Sequence, residues 1–365
     1  MKLRFAVGLL LALALVAPAA HAADTKPGEL KPVRLATASG LASPITAYIL
    51  VAQYLGYYKQ EGLTLDLATP SAQGGGAVVQ SLASGDAQSG TLGPGSVYLL
   101  DQQTQDVQLL GYYCYTQDIP EQLAVPVDSP IKTITDLKGK KIGVRDARRS
   151  IYSAGMLSTS GVSPDEVTYV PVGIGATPMI TLQRHDVDAL SMFDVDLRRV
   201  ELLGEPLRRL ATSDTYKKLQ GPVLVATREE FNKDPALLIG FARGVAKGTI
   251  FMINNPEATA KIFYEMFPQA VPKGQEFKDV IADTTEMLKA RVPAMKLKPG
   301  QKWGEMEPAA WEIELKFAGL EGKLHRPVTD FYSNALIDRI NQFDQNAVAE
   351  QARNFDFDKY RAAQH

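Results

Sequence analysis

The sequence predicts an α/β protein of two lobes, each a mostly parallel sheet flanked by helices, with a ligand cleft between them. Three observations predict this. Short apolar strands alternate with stretches whose apolar residues recur at helical spacing. The alternation occurs twice, over 33–83 and again over 141–190, with an extended stretch bearing Pro126 and Pro130 between. At 365 residues, 45% hydrophobic against 22% charged, the chain is long enough for two domains with cores of their own, and it is no disordered tail.

The first two dozen residues stand apart. Lys2 and Arg4 precede an apolar run from Phe5 to Val16, and Pro18 and Ala20-His21-Ala22 follow. This is the pattern of a secretory signal peptide over 1–22. The run is shorter than the ~20 residues that a membrane span needs, and no later segment reads as a span. After a polar linker, Val33-Arg34-Leu35-Ala36-Thr37 alternate as a strand. A helix follows with Ile45, Tyr48, Ile49, Ala52 and Leu55 on one face, Ser43 placed to cap it and Pro44 in its first turn. Leu63 to Leu67 is the next strand, and Gly74-Gly75-Gly76 leads into a helix over 77–83.

The second unit begins with a strand at Lys141-Ile142-Gly143-Val144 and continues with a helix over 151–157, a strand over 167–170 and a helix over 179–184. Val187-Asp188-Ala189-Leu190 reads as another buried strand, and Pro222-Val223-Leu224-Val225 as the return crossing. Beyond Pro235 the periodicity is helical over 237–253, 256–267 and 311–317. These readings assign 31–126 and 218–345 to lobe 1, 127–217 to lobe 2, and 346–365 to a peripheral C-terminal segment. Two crossings between lobes make a hinge and a cleft.

The formal net charge is −2, so nothing draws the whole molecule to nucleic acid or to an anionic bilayer. The only cysteine, Cys114, leaves no disulfide within the chain and no lipid-bearing cysteine at the cleavage site. The histidines, at 21, 185, 325 and 365, form no metal motif, and no cofactor is expected. A soluble, monomeric protein of the bacterial periplasm is expected.

Several segments carry a resemblance. They are Gln53-Tyr54-Leu55-Gly56-Tyr57-Tyr58-Lys59-Gln60-Glu61-Gly62-Leu63, then Leu82-Ala83-Ser84-Gly85-Asp86-Ala87 with Gly90-Thr91, and Ile134 to Val144. Gly161-Val162-Ser163-Pro164-Asp165-Glu166-Val167 and Asp186-Val187-Asp188-Ala189 complete the set. In this order, the chain resembles the periplasmic substrate-binding proteins of ABC importers, in the branch serving nitrate, taurine, aliphatic sulfonates and some aromatic acids, with thiamine-pyrimidine binders. The resemblance covers roughly 33–200 and extends loosely to about 340. It implies the type II periplasmic binding protein fold and ligand contacts from the loops after the strands.

Ser39, Gly40 and Leu41 follow the first strand, where their backbone N–H groups can hold an anionic group or merely cap the helix. Gly75 and Gly76 let a ligand approach the backbone, or form a surface turn. Ser96 offers a hydroxyl from the third loop, or caps a helix. Alternation puts Tyr113 and Tyr115 on one strand face, to stack on a planar ligand or to pack in the core. Arg148 and Arg149 sit where a strand gives way to a helix, a good place for guanidinium groups to bind a carboxylate or sulfonate. Thr177 caps a helix or donates to the ligand. Asp194 accepts from an amine or holds Arg148 or Arg149 in place.

The resulting expectation is a non-catalytic, solute-binding component of an ABC importer. It captures a small organic anion, an aromatic carboxylate or alkyl sulfonate, by cleft closure and presents it to a permease in the inner membrane. One alternative is a periplasmic sensor that serves a receptor. Another is a thiamine-pyrimidine-synthase-like enzyme, against which stand the signal peptide and the lack of a histidine–cysteine cluster.

Overall fold

The computed structural model describes residues 29–37, 41–67, 74–103, 107–146 and 150–363. The expected signal peptide lies outside them. The chain first forms β1 (Lys31–Val33), β2 (Leu35–Ala36), α1 (Ala47–Tyr54), β3 (Leu63–Leu65), α2 (Gly75–Ala83), β4 (Ser89–Leu92), α3 (Pro94–Asp101) and β5 (Leu109–Cys114). It then crosses to β6 (Glu121–Pro126), β7 (Lys141–Val144), α4 (Ile151–Ser158), β8 (Thr168–Pro171), α5 (Thr177–Gln183), β9 (Ala189–Phe193), α6 (Asp194–Leu202) and β10 (Leu207–Arg209). It returns through β11 (Val223–Thr227) and α7 (Arg228–Lys233) to α8 (Pro235–Asn254), α9 (Pro256–Met266), α10 (Phe277–Met295) and α11 (Pro308–Phe317). The chain closes with α12 (Ile337–Ile340), α13 (Gln345–Arg353) and α14 (Phe357–Ala362).

The two lobes are built on sheets of order β2-β4-β11-β5 and β10-β6-β9-β7-β8, and β1 pairs with β3 beside the first. Both sheets are mixed rather than mostly parallel. β2 runs parallel to β4, and β7 to β8 and β9, as crossovers through a helix require. β11 is antiparallel to β4 and β5, and β6 to β9 and β10. These two strands enter their sheets directly from the interlobe crossings, so no helical crossover sets their direction. β6 pairs wholly within the second sheet, which puts the outward crossing at 115–120, ahead of the 126/127 boundary expected from sequence. At the hinge the crossings touch: a Cβ on Gly221 would lie 2.1 Å from Thr116 Oγ1 and 2.3 Å from its carbonyl oxygen.

Strand β11 shows how the sequence makes the first core. Its period of two sends Leu224 and Ala226 to one face, against α1, α8 and α9, and Val223 and Val225 to the other, against α2, α3 and α11. Helix α8 is the spine of the first face. It is long and apolar enough to cross a membrane, contrary to the sequence reading, but its most apolar stretch is 83% buried within this lobe. Gly240, Gly244 and Gly248, four residues apart, let neighbours press onto it: a Cβ on Gly248 would meet the Tyr48 carbonyl oxygen of α1 at 2.0 Å.

Two segments differ from expectation. Residues 346–365 are not merely peripheral: Val348, Ala352 and Phe357 are buried, Phe355 packs edge-on to Phe251 at 5.2 Å, and the Tyr57 hydroxyl donates to Gln351 Oε1. At the start of α1 a single 3-10 turn, 44–46, precedes the helix, and Ser43 makes no side-chain cap. Instead the Thr46 hydroxyl reaches back to the carbonyl oxygens of Leu41 and Ser43 at 2.9 and 2.8 Å.

Candidate functional site

The lobes meet along α6 of the second and α10 of the first, packed antiparallel. Asp194, at the start of α6, faces Arg291, near the end of α10. Arg291 Nε donates to both carboxylate oxygens at 2.8 and 2.9 Å, and Nη2 lies 2.7 Å from Oδ1. Both side chains are 4% exposed. Burial alone would make the guanidinium easier to deprotonate, but the Asp194 charge and hydrogen bonds outweigh it and hold Arg291 above its usual range. One turn along, Arg198 Nη2 donates to Glu286 at 3.0 Å. Arg291 also lies near the stacked rings of Tyr48 and Tyr115, 6.0 Å apart.

Beside this seam is a pocket of about 130 Å³ between the lobes. The first lobe supplies Ser43, Pro44 and Ile45 from the loop before α1, and Met287 from α10. Arg145, just after β7, Gly175 before α5, and Asp196 and Arg199 on α6 form the facing wall. Arg145 is held over the Phe193 ring, 5.9 Å from its centroid, and its Nη1 is 4.0 Å from Asp196 Oδ2. Burial raises the Asp196 carboxyl, with Arg145, Arg291 and Arg199 pulling the other way. Two guanidinium groups against one carboxylate leave the pocket net positive. This suits a small anion, which both lobes must touch to be enclosed.

A larger recess, about 270 Å³, lies among Leu30, Gln53, Tyr54, Lys59 and Tyr360. All its walls belong to the first lobe, so lobe movement cannot close it. The interlobe pocket is therefore the candidate site.

The starts of α4 and α3 are fixed by buried polar contacts. Ser150 caps α4 by accepting from the Tyr152 N–H at 3.1 Å while its own hydroxyl donates to Glu121 Oε2 at 2.6 Å. Ser191 donates to Glu121 Oε1 at 2.9 Å, and burial raises the Glu121 carboxyl in spite of these two donors. At the start of α3 the Gly95 N–H donates to Glu314 Oε1 at 3.0 Å, so a side chain of α11 already occupies that helix start.

None of the described residues singled out from sequence lines this pocket, although the segments of Leu41, Thr177 and Asp194 do. Leu41 is buried in the first-lobe core, two residues from Ser43. Gly75 starts α2 under Leu92 and Leu100, and Gly76 is exposed with nothing within 4 Å of a Cβ. Ser96 is half-buried in the first turn of α3. Thr177 is exposed and opens α5 without capping it, the cap position being Ala176. Tyr113 is a core residue packed on Gly304, as both faces of β5 are covered and every residue of the strand is buried. Tyr115, past the strand end, is half-buried and hydrogen-bonded to the Thr91 side chain. Asp194 pairs with Arg291. Ser39, Gly40, Arg148 and Arg149 lie outside the described residues.

Sequence reasoning missed Arg291, Arg199 and Asp196. The signal for Arg291 was present: Val280, Thr284, Leu288, Arg291 and Met295 recur at helical spacing, which sets an arginine on a buried stripe. Among the described residues, no group of three or more His, Cys, Asp or Glu is placed to hold a metal ion.

Comparison with known proteins decides the family. The family described as NMT1/THI5 like matches residues 43–259, more than half of the chain. The chain belongs to the NMT1/THI5-like family. Comparison with curated proteins gives no match. Among solved structures, the periplasmic aliphatic sulphonate binding protein SsuA from Escherichia coli is 19% identical with a TM-score of 0.59, over 80% of this chain and 87% of that one. The alkanesulfonate-binding protein SsuA from Xanthomonas axonopodis pv. citri, bound to MOPS, is 17% identical at 0.56, over 86% and 98%. The periplasmic nitrate-binding protein NrtA from Synechocystis PCC 6803 is 14% identical at 0.56, over 91% of each. At these identities the likeness is one of fold, the two-lobed fold of type II periplasmic binding proteins.

Proposed function

We propose that this protein is the periplasmic solute-binding component of an ABC importer. It captures a small organic anion between its lobes and delivers it to a permease in the inner membrane without making or breaking a bond. The observation that carries this reading is the pocket walled by both lobes, with Arg145 and Arg199 facing Ser43 and Met287. An anion there pairs with guanidinium groups of the second lobe while touching the first. Its binding energy is thus available only when the lobes are together, and it shifts the population to the closed form. Family membership and the named sulfonate and nitrate binders of the same fold support it.

Within this reading, the anion is an alkyl sulfonate or aromatic carboxylate. The connection from β7 to α4 also contains Arg148 and Arg149, and the one from β2 to α1 contains Ser39 and Gly40. Lobe 1 comprises the chain before and after the two crossings, including the C-terminal segment packed on its core, and the mature chain begins after Ala22. The test is a thermal-shift screen of the ligand-stripped mature protein against butanesulfonate, benzoate, nitrate, bicarbonate and neutral pyrimidines. A ligand that binds only the folded state raises the melting temperature. A sulfonate or carboxylate that does so supports the reading; a pyrimidine that does so while every anion fails overturns it.

A further inference from the structure

Glu314 is a buried ionisable group that the anion pocket does not use. It lies on α11, which touches both lobes. Trp311 of that helix packs edge-on to Tyr98 in the first-lobe core, while Ile313 and Phe317 pack on the second-lobe core. Phe317 presses on Gly155 of α4 so closely that a Cβ there would lie 2.0 Å from its ring. The Glu314 side chain is enclosed between Gly95 at the start of α3 and Ile151 and Tyr152 at the start of α4. The residue is 1% exposed.

Its surroundings hold hydrogen-bond donors but no counter-charge. Gly95 N–H supplies Oε1, and the buried Tyr152 hydroxyl lies beside the carboxyl. The titratable groups facing it are Tyr98 on α3, Tyr152 on α4 and Tyr216 on the return crossing, with Glu121 of β6 behind the last two. Among the described residues no lysine or arginine offsets a charge at this point. A carboxylic acid fits better, because an ionised carboxylate would be buried here with no counter-charge. The enclosure depends on the lobes being together. Gly95 belongs to the first lobe and Ile151 and Tyr152 to the second, so parting the lobes opens the enclosure to water.

We propose that Glu314 makes lobe closure take up a proton, so that the protein grips its anion more tightly in acid than in alkali. This rests on the cleft-binding reading above and adds a regulation to it. Burial raises the closed-state carboxyl to about 8, against the pull of the Gly95 N–H and Tyr152. In the open form water returns it toward the ordinary carboxylate range. The closed form thus holds the extra proton: its advantage is full below the open-form value and is lost as pH rises through about 8. Burial also raises Asp196 in the pocket, so the deciding comparison is between wild type and Glu314→Gln.

The experiment has two arms at pH 6.5 and 8.5. In small-angle scattering of the ligand-free protein, the wild type is expected to expand at the higher pH and Glu314→Gln to stay compact at both. With butanesulfonate as the probe, wild-type affinity is expected to fall on the order of tenfold between the two. That of Glu314→Gln should change less than about twofold. Should the glutamine variant not fold, Glu314→Met, uncharged and of similar length, carries the same expectation. A variant that keeps the wild-type pH response, or a wild type that is the same at both values in both arms, overturns the proposal. If butanesulfonate does not bind at either pH while only the wild type expands, proton-linked closure stands and the sulfonate reading is the one that fails.

Discussion

Replacing Arg291 with methionine leaves Asp194 buried at the seam between the lobes without its counter-charge. Three N···O contacts of 2.7–2.9 Å are lost, between side chains that are 4% exposed. Removing one partner of a buried pair costs ~3–5 kcal/mol, most of it the penalty of the charge left behind. Asp194 sits in the first turn of α6 and accepts from the Val195 N–H at 2.7 Å, which offsets part of that penalty. The lower end, ~3 kcal/mol, is therefore expected. The double variant Asp194→Asn with Arg291→Met removes both charges and should lose less than the two single losses together, with a coupling on the order of 2 kcal/mol. Urea unfolding of the four proteins measures it. If the losses simply add, or if Arg291→Met costs under ~1 kcal/mol as an exposed pair would, the seam does not hold the lobes in the way described.

Three further outcomes follow from particular contacts. Gly248→Ala drives a Cβ onto the Tyr48 carbonyl and should cost ~1–3 kcal/mol, whereas Gly76→Ala in open space should be neutral or slightly stabilising and leave ligand affinity unchanged. Melting temperatures and calorimetry read both. Burial pushes the Cys114 thiol up to about 12, so a thiol reagent at pH 8 should label the protein only after denaturation. Asp196→Asn removes the one carboxylate from the pocket wall and should strengthen anion binding a few-fold; a loss would mean that the ligand gives Asp196 a hydrogen bond.

What the sequence disclosed, and what it did not, follows from the range of the interactions. Strand β7 and the helices α8 and α9 are local patterns of apolar spacing and caps, and they lie where the periodicity puts them. The parallel units of each lobe were legible for the same reason, since a strand–helix–strand repeat admits few topologies. The directions of β6 and β11 were not, because they depend on where the chain crosses between lobes. At the site, two segments were legible and their lining residues were not: Ser43 rather than Leu41, Asp196 two positions beyond Asp194. A shift of two residues along a helix start turns a side chain from cleft to core, and only packing decides it. Of the two readings open for Tyr113, core packing is the one that holds, because both faces of β5 are covered. Arg291 and Glu314 needed contacts from residues about a hundred and two hundred positions away, beyond the reach of spacing.

The most direct test of the account is a calorimetric titration of the tightest-binding anion into four proteins: wild type, Arg145→Ala, Arg199→Ala and Lys59→Ala. The first two substitutions strip the interlobe pocket of its positive groups, and the third alters the recess on the first lobe. The account predicts that each pocket arginine costs on the order of tenfold in affinity, as expected for a charge-assisted contact, and that Lys59→Ala binds as the wild type does. Undiminished binding by both arginine variants, or a loss confined to Lys59→Ala, would contradict it.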